Sequence, residues 1–184
     1  MASKPELSER SVQIPPSEVI ADLSVPTHAE GLVIFAHGSG SSRLSSRNRF
    51  VAGIFQESKL ATLLLDLLTA EEERIDVRTR HLRFDIDLLA NRLVQATRWV
   101  ANDPAIANLP VGYFGASTGA AAALVAAAQL TGSTHAVVSR GGRPDLAGAA
   151  LHNVNAPTLL IVGGDDCPVI ELNQQALNKL HCEK

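Results

Sequence analysis

One pattern recurs along this chain and constrains its fold more than any other. A short apolar run ends in a glycine-rich loop, and a segment with helical periodicity follows. The runs "GLVIFA", "LATLLLDLL", "LPVGYFG", "THAVVS" and "PTLLIV" are almost unbroken in their apolar character, as strands covered on both faces must be. Between them, Ile86, Leu89, Leu93, Ala96 and Val100 step by three or four residues, as do Val169, Leu172, Ala176 and Leu180, which marks amphipathic helices. Phe50, Val51, Ile54 and Phe55 read as the inner face of another helix. A further short helix is expected from Pro144. Upstream, "RSVQIPP" and "EVIADLSVP" read as two strands about a Pro-Pro turn. The alternation predicts a mostly parallel central sheet with helices on both faces. It reads as one domain, with residues 1–29 supplying N-terminal strands and residues 30–184 the parallel core.

In such a sheet the carboxyl ends of the parallel strands share one edge, and ligands bind there. Every glycine cluster of the chain, "HGSG", "GASTG", "SRGG" and "VGGDD", follows a strand at that edge. Gly115-Ala116-Ser117-Thr118-Gly119 fits a nucleophile elbow, in which a serine sits in a strained strand-to-helix turn flanked by small residues. Its hydroxyl is then exposed beside the first N–H groups of a helix. The backbone N–H of Thr118 is one candidate oxyanion donor, and the N–H of Ser39, in the loop after the first long strand, is the second. That loop has a competing reading as a dinucleotide turn, with Asp66 as the ribose-binding acid. However, the third glycine of that fingerprint falls on Arg43, where close helix–strand packing needs a small residue.

Asp165 and Asp166 emerge at the same edge. A carboxylate there can hold an imidazole in its working tautomer, or it can cap the following helix. Arg43, Arg47, Arg49, Arg140 and Arg143 lie on loops of this edge, with Glu71, Glu72 and Glu73. Arg43 and Arg140 are the candidates for binding an anionic substrate, against the alternative that these charges are solvated or pair with one another.

The bulk properties narrow the field. With formal net charge -3 and 46% hydrophobic residues, the chain has no basic stripe for nucleic acid. "MASKPELSER" lacks the apolar centre of a signal peptide, and "GAAAALVAAA" is short of a membrane span, so a cytoplasmic protein is expected. Cys167 and Cys182 form neither a disulfide framework nor a spaced metal site. No metal or organic cofactor is implied, and the expected ligand is a small molecule.

Taken in order, "HGSG" after an early strand, "GASTG" at the elbow and "GGDD" after a later strand resemble the α/β-hydrolase superfamily, and within it the dienelactone-hydrolase-like proteins. "HGSGSSRLSSRNRF", "SRGGRPDLA" and "LLIVGGDDCPVIELN" are similar to a bacterial subgroup, some members of which are fused to a phosphoribosyltransferase-like domain. The resemblance spans most of residues 30–180. It implies an α/β-hydrolase fold, Ser117 as nucleophile, Asp166 as triad acid and the N–H groups of Ser39 and Thr118 as oxyanion hole. Dienelactone hydrolases proper carry cysteine at the elbow, so their substrate does not transfer to this serine-bearing chain.

The resemblance also raises the question of the base. The family's histidine follows one more strand beyond the helix after the acid, and the sequence stops at Lys184, where that helix is expected to end. His28, His135 and His152 precede strands and so belong to the opposite edge. His181 ends a helix about 20 Å below the rim. Only His37 and His81 are expected near it. The reading is thus a serine hydrolase of esters or similar acyl compounds, weak or inactive in this length, with a non-catalytic binding module of the same fold as the alternative. Without a further strand, "TLLIV" becomes a sheet edge, and the expectation is either a C-terminally shortened member or a chain that completes its sheet through a second copy or another chain.

Overall fold

The computed structural model describes residues 6–184. Seven strands form one sheet: β1 Leu7–Ile14, β2 Val19–Pro26, β3 Gly31–Ala36, β4 Leu60–Leu65, β5 Val111–Ala116, β6 Thr134–Arg140 and β7 Thr158–Ile161. Their order is β1-β2-β4-β3-β5-β6-β7. The first two strands are antiparallel to each other, and β2 is antiparallel to β4. From β4 to β7 every pairing is parallel. This is the expected mostly parallel sheet, with an antiparallel N-terminal hairpin at one side.

Five α-helices accompany it: α1 Ser46–Glu57, α2 Ala70–Thr79, α3 Ile86–Val100, α4 Thr118–Gln129 and α5 Cys167–Lys179. Residues Pro144–Asn153 form 3₁₀ turns where a short helix was expected. Alternate residues of each central strand feed the two faces. Leu32 and Ile34 of β3 join Leu63, Tyr113, Leu93 and Leu124 in the larger core. Phe35 of β3 joins Phe114 and Leu64 in the smaller one. Helix α4 is almost wholly buried from Thr118 to Ala127, and its run of alanines provides the small side chains for such close packing. Among the described residues no helix is long and apolar enough to cross a membrane.

Two expectations need correction. The inner face of α1 is Asn48, Val51, Ala52 and Phe55, not the face containing Phe50 and Ile54, which are 72% and 47% exposed. The helix is turned so that Phe55 reaches the rings of Phe35 and Phe114, each with its centroid 5.9 Å away. Glu71, Glu72 and Glu73 lie in the first turn of α2, and Arg47 and Arg49 lie in α1, rather than on loops. Thr69 caps that helix, its hydroxyl accepting from the Glu72 N–H while the Glu72 carboxylate accepts from the Thr69 N–H. Glu72 also pairs with Arg92 of α3. Thr69→Ala, which breaks the reciprocal cap, is expected to cost about 1 kcal/mol in urea unfolding.

The connection from α2 to α3 is fixed by Asp76, which is fully buried. It accepts from the N–H groups of Leu82 and Arg83 and from the Arg83 guanidinium. Burial pushes its carboxyl up, but these hydrogen bonds and the charge of Arg83 hold it below the usual carboxylate range. At the other side of the sheet β7 is the edge, and the N–H of Thr158 on its outer side donates to the carbonyl of Glu183 at 2.9 Å.

Candidate active site

Strand β5 ends at Ala116 and α4 begins at Thr118, so Ser117 alone makes the turn between them. Its backbone is at φ 51°, ψ -125°, a conformation that costs a non-glycine residue about 1–3 kcal/mol. Ser117 is half-buried, and among the described residues its hydroxyl makes no hydrogen bond. Its carbonyl accepts from the N–H of Ala120 at 3.1 Å and of Arg143 at 3.0 Å. The bend is thereby tied both to its own helix and to the loop after β6. From behind, a Cβ at Gly119 would collide with the backbone carbonyls of Ala36 and His37. The elbow can therefore lie against the end of β3 only with glycine at that position.

The loop after β3 closes over the same hydroxyl. A Cβ on Gly38 would lie 2.9 Å from the Ser117 Cβ and 3.7 Å from its Oγ. Ser39 comes next; it is exposed, and its N–H has no acceptor among the described residues. Thr118 opens α4, and the first N–H groups of a helix have no partner within it. Two backbone donors thus flank the segment that carries Ser117.

His37 is not available as a base. It is 8% exposed, and the N–H of Leu67 donates to its Nε2 at 3.1 Å. The ring proton is consequently on Nδ1, which donates to the Gly38 carbonyl at 2.9 Å. Burial pushes its pKa below the ordinary histidine value, opposed by the Gly38 hydrogen bond and by the charges of Asp66 and Glu73. Below about pH 6.5 the unfolded chain binds a proton at this position that the folded imidazole refuses, so folding stability falls with pH in that range and is unaffected above it. The urea midpoint should accordingly drop more between about pH 7.5 and 5.5 in the native protein than in His37→Gln.

The other histidines are elsewhere. His81 is exposed, with Nδ1 2.8 Å from the Thr79 hydroxyl. His28 and His135 lie before β3 and at the start of β6. The rings of His152 and His181 face each other, centroids 5.2 Å apart. Among the described residues no histidine is hydrogen-bonded to Ser117. Asp165 and Asp166 follow β7 at the carboxyl edge, both exposed, and Asp166 occupies the N-cap position of α5 without a side-chain capping bond. β6 alone separates β5, which precedes Ser117, from β7, which precedes Asp166, so those two strands lie roughly 10 Å apart.

The two candidate arginines differ. Arg43 is engaged: its N–H and Nη1 donate to Asp66 at 2.7 and 2.6 Å, and its Nε donates to Asp22 at 3.4 Å. That occupies the carboxylate of Asp66 too. Arg140 ends β6, paired in register with Ala116, the residue before Ser117. A cleft of about 820 Å³ opens on the β2 and β4 side, lined by Glu18, Arg43, Asp66, Thr69 and Glu73 but not by Ser117. Sequence reasoning passed over Asn173, which is buried on α5. Its amide donates to the carbonyl of Gly142 at 3.1 Å, and the next residue, Arg143, holds the Ser117 carbonyl. Helix α5 and the elbow are thus linked through one turn.

The fold and this edge define an α/β hydrolase of the dienelactone-hydrolase type. No family model matches the sequence. The crystal structure of a dienelactone hydrolase from Anabaena variabilis is similar, at 59% identity and a TM-score of 0.94, covering 99% of this chain and 84% of that one. A cold-adapted esterase from an Arctic intertidal metagenomic library shares the fold at 13% identity and a TM-score of 0.75, covering 99% of this chain and 82% of that one. Two Mycobacterium tuberculosis proteins named as phosphoribosyl transferases are 58% identical over 177 residues, 95% of this chain. The chain spans 39% of the length of those curated relatives. It belongs to the dienelactone-hydrolase-like proteins.

Proposed function

We propose that the chain is a serine hydrolase acting on an ester or related acyl bond. The observation that carries this reading is the unbonded hydroxyl of Ser117 at a positive-φ turn, beside Gly38 and the start of α4. The Ser117 oxygen attacks the acyl carbon, and the leaving alkoxide departs with the hydroxyl proton. Water then cleaves the resulting acyl-enzyme and returns the proton to the serine. The N–H groups of Ser39 and Thr118 are the proposed oxyanion donors, each of a kind whose removal costs about 10²–10³ in rate. Asp166 is the proposed acid, orienting an imidazole between itself and Ser117. The serine chemistry is supported by the elbow geometry, and the hydrolase class by the name of the dienelactone hydrolase relative. The names of the curated relatives add a proposed partnership with a phosphoribosyl-transferring domain.

Because no described histidine reaches Ser117, free imidazole should accelerate release of p-nitrophenol from p-nitrophenyl acetate beyond the rate imidazole gives without protein, and Ser117→Ala should abolish that excess. Equal acceleration in the variant would refute the assignment. A second reading, a non-catalytic binding module of the same fold, is favoured by the finding that among the described residues no histidine is bonded to Ser117. It would be supported if the imidazole response were the same in both proteins.

A further inference from the structure

Five arginines among the described residues are at least partly buried: Arg43, Arg83, Arg92, Arg140 and Arg143. Four have a carboxylate partner. Arg43 meets Asp66 at 2.6 Å and Arg143 meets Asp145 at 2.8 Å, while Arg83 and Arg92 pair with Asp76 and Glu72. Arg140 has none among the described residues. Its single hydrogen bond, from Nη2 to Asn48 Oδ1, is long at 3.4 Å. Its guanidinium lies 6.0 Å from the centroid of the Phe114 ring, and its Nε is buried without an acceptor. A partly desolvated cation with an unsatisfied N–H is costly, and pairing with an anion removes that cost.

The surroundings favour such an anion. Arg140 is in register with Ala116, the residue before Ser117. Asn48 lies in the first turn of the 12-residue α1, a turn that contains no acidic residue, so the positive end of that helix adds to the field. The other arginines of this edge with ordered partners, Arg43, Arg49 and Arg143, are drawn away to Asp66, Asp22 and Asp145.

We propose that Arg140 is the specificity determinant of the site, anchoring a carboxylate or phosphate group on the acyl compound that Ser117 attacks. This rests on the serine-hydrolase reading for the meaning of the site, but its test does not need turnover. A guanidinium presents two parallel N–H groups to either oxyanion, so the same residue serves both chemistries.

The test is a binding titration, followed by NMR, with three small probes: monomethyl succinate, methyl phosphate and the uncharged dimethyl succinate. The protein should bind at least one of the two anions tenfold or more tightly than the neutral diester, and the tighter anion identifies the group. Arg140→Gln keeps an N–H donor for Asn48 but removes the charge. It should weaken the anion at least tenfold and leave the neutral diester unchanged, whereas Arg140→Lys should retain part of the preference. Equal binding of anions and diester, failure of both anions to bind, or undiminished anion binding by Arg140→Gln would each overturn the proposal. So would parallel loss of all three probes, since that marks a purely structural arginine. Ser117→Ala should keep the anion preference. An Arg140-dependent preference without any acylation of Ser117 would remove the hydrolase reading and leave the anion site standing.

Discussion

Gly119→Ala is expected to destabilise the protein by about 3 kcal/mol or more, at the upper end of what overpacking costs. The added methyl would fall on the carbonyl oxygens of Ala36 and His37. Both belong to the backbone at the end of β3, so no side-chain rotamer can relieve the overlap. Either α4 moves off the sheet or β3 shifts, and each opens a buried interface. The same substitution at Gly53, inside α1 with nothing within 4 Å of the new methyl, should instead stabilise by about 0.5–1 kcal/mol through helix propensity. Urea unfolding of the two variants side by side checks both signs. A loss below about 1 kcal/mol at Gly119 would mean that the elbow is not pressed against β3.

Ser117→Gly should have the opposite consequence for folding while ending reactivity. Relief of the positive-φ strain contributes about 1–3 kcal/mol. The extra freedom of glycine in the unfolded chain takes back about 0.4–1 kcal/mol. Because the hydroxyl has no bonding partner among the described residues, nothing else is lost, and a net gain of about 1 kcal/mol is expected. A stable but unreactive variant is what a site that stores strain for chemistry predicts. If Ser117→Gly were destabilised, the turn would be held by the serine rather than strained by it.

How far the sequence alone foretold this molecule depends on the range of the interaction. The central strands were legible because both faces of β3, β4 and β5 are buried, which leaves continuous apolar runs, and because each ends at a glycine-rich loop. The elbow was legible for a local reason as well: the turn tolerates only small neighbours. Helix α2 escaped notice because its residues are mostly exposed and carry little apolar periodicity. Its capping pair, Thr69 and Glu72, was nonetheless present in the sequence and would have located its start. The inner face of α1 was misjudged since the ring of Phe114, 59 positions beyond Phe55 by subtraction, decides which way that helix turns.

The charged residues were least legible, and the cause is the same. Arg43 and Arg140 look alike as loop arginines at one sheet edge. They separate only when Asp66, 23 residues from Arg43, is brought against its backbone and side chain, while among the described residues no acid pairs with Arg140. His37 is a similar case. Its position near the rim follows from the strand before it, but its tautomer is set by the N–H of Leu67, 30 residues away. That one hydrogen bond converts a candidate base into a structural imidazole.

The account stands or falls on the reactivity of a single hydroxyl. Incubation with a fluorophosphonate in the presence of imidazole, followed by peptide mapping, should yield one adduct, on Ser117, and none in Ser117→Ala. An adduct spread over exposed serines such as Ser39 and Ser58, or no adduct at Ser117 at all, would contradict it.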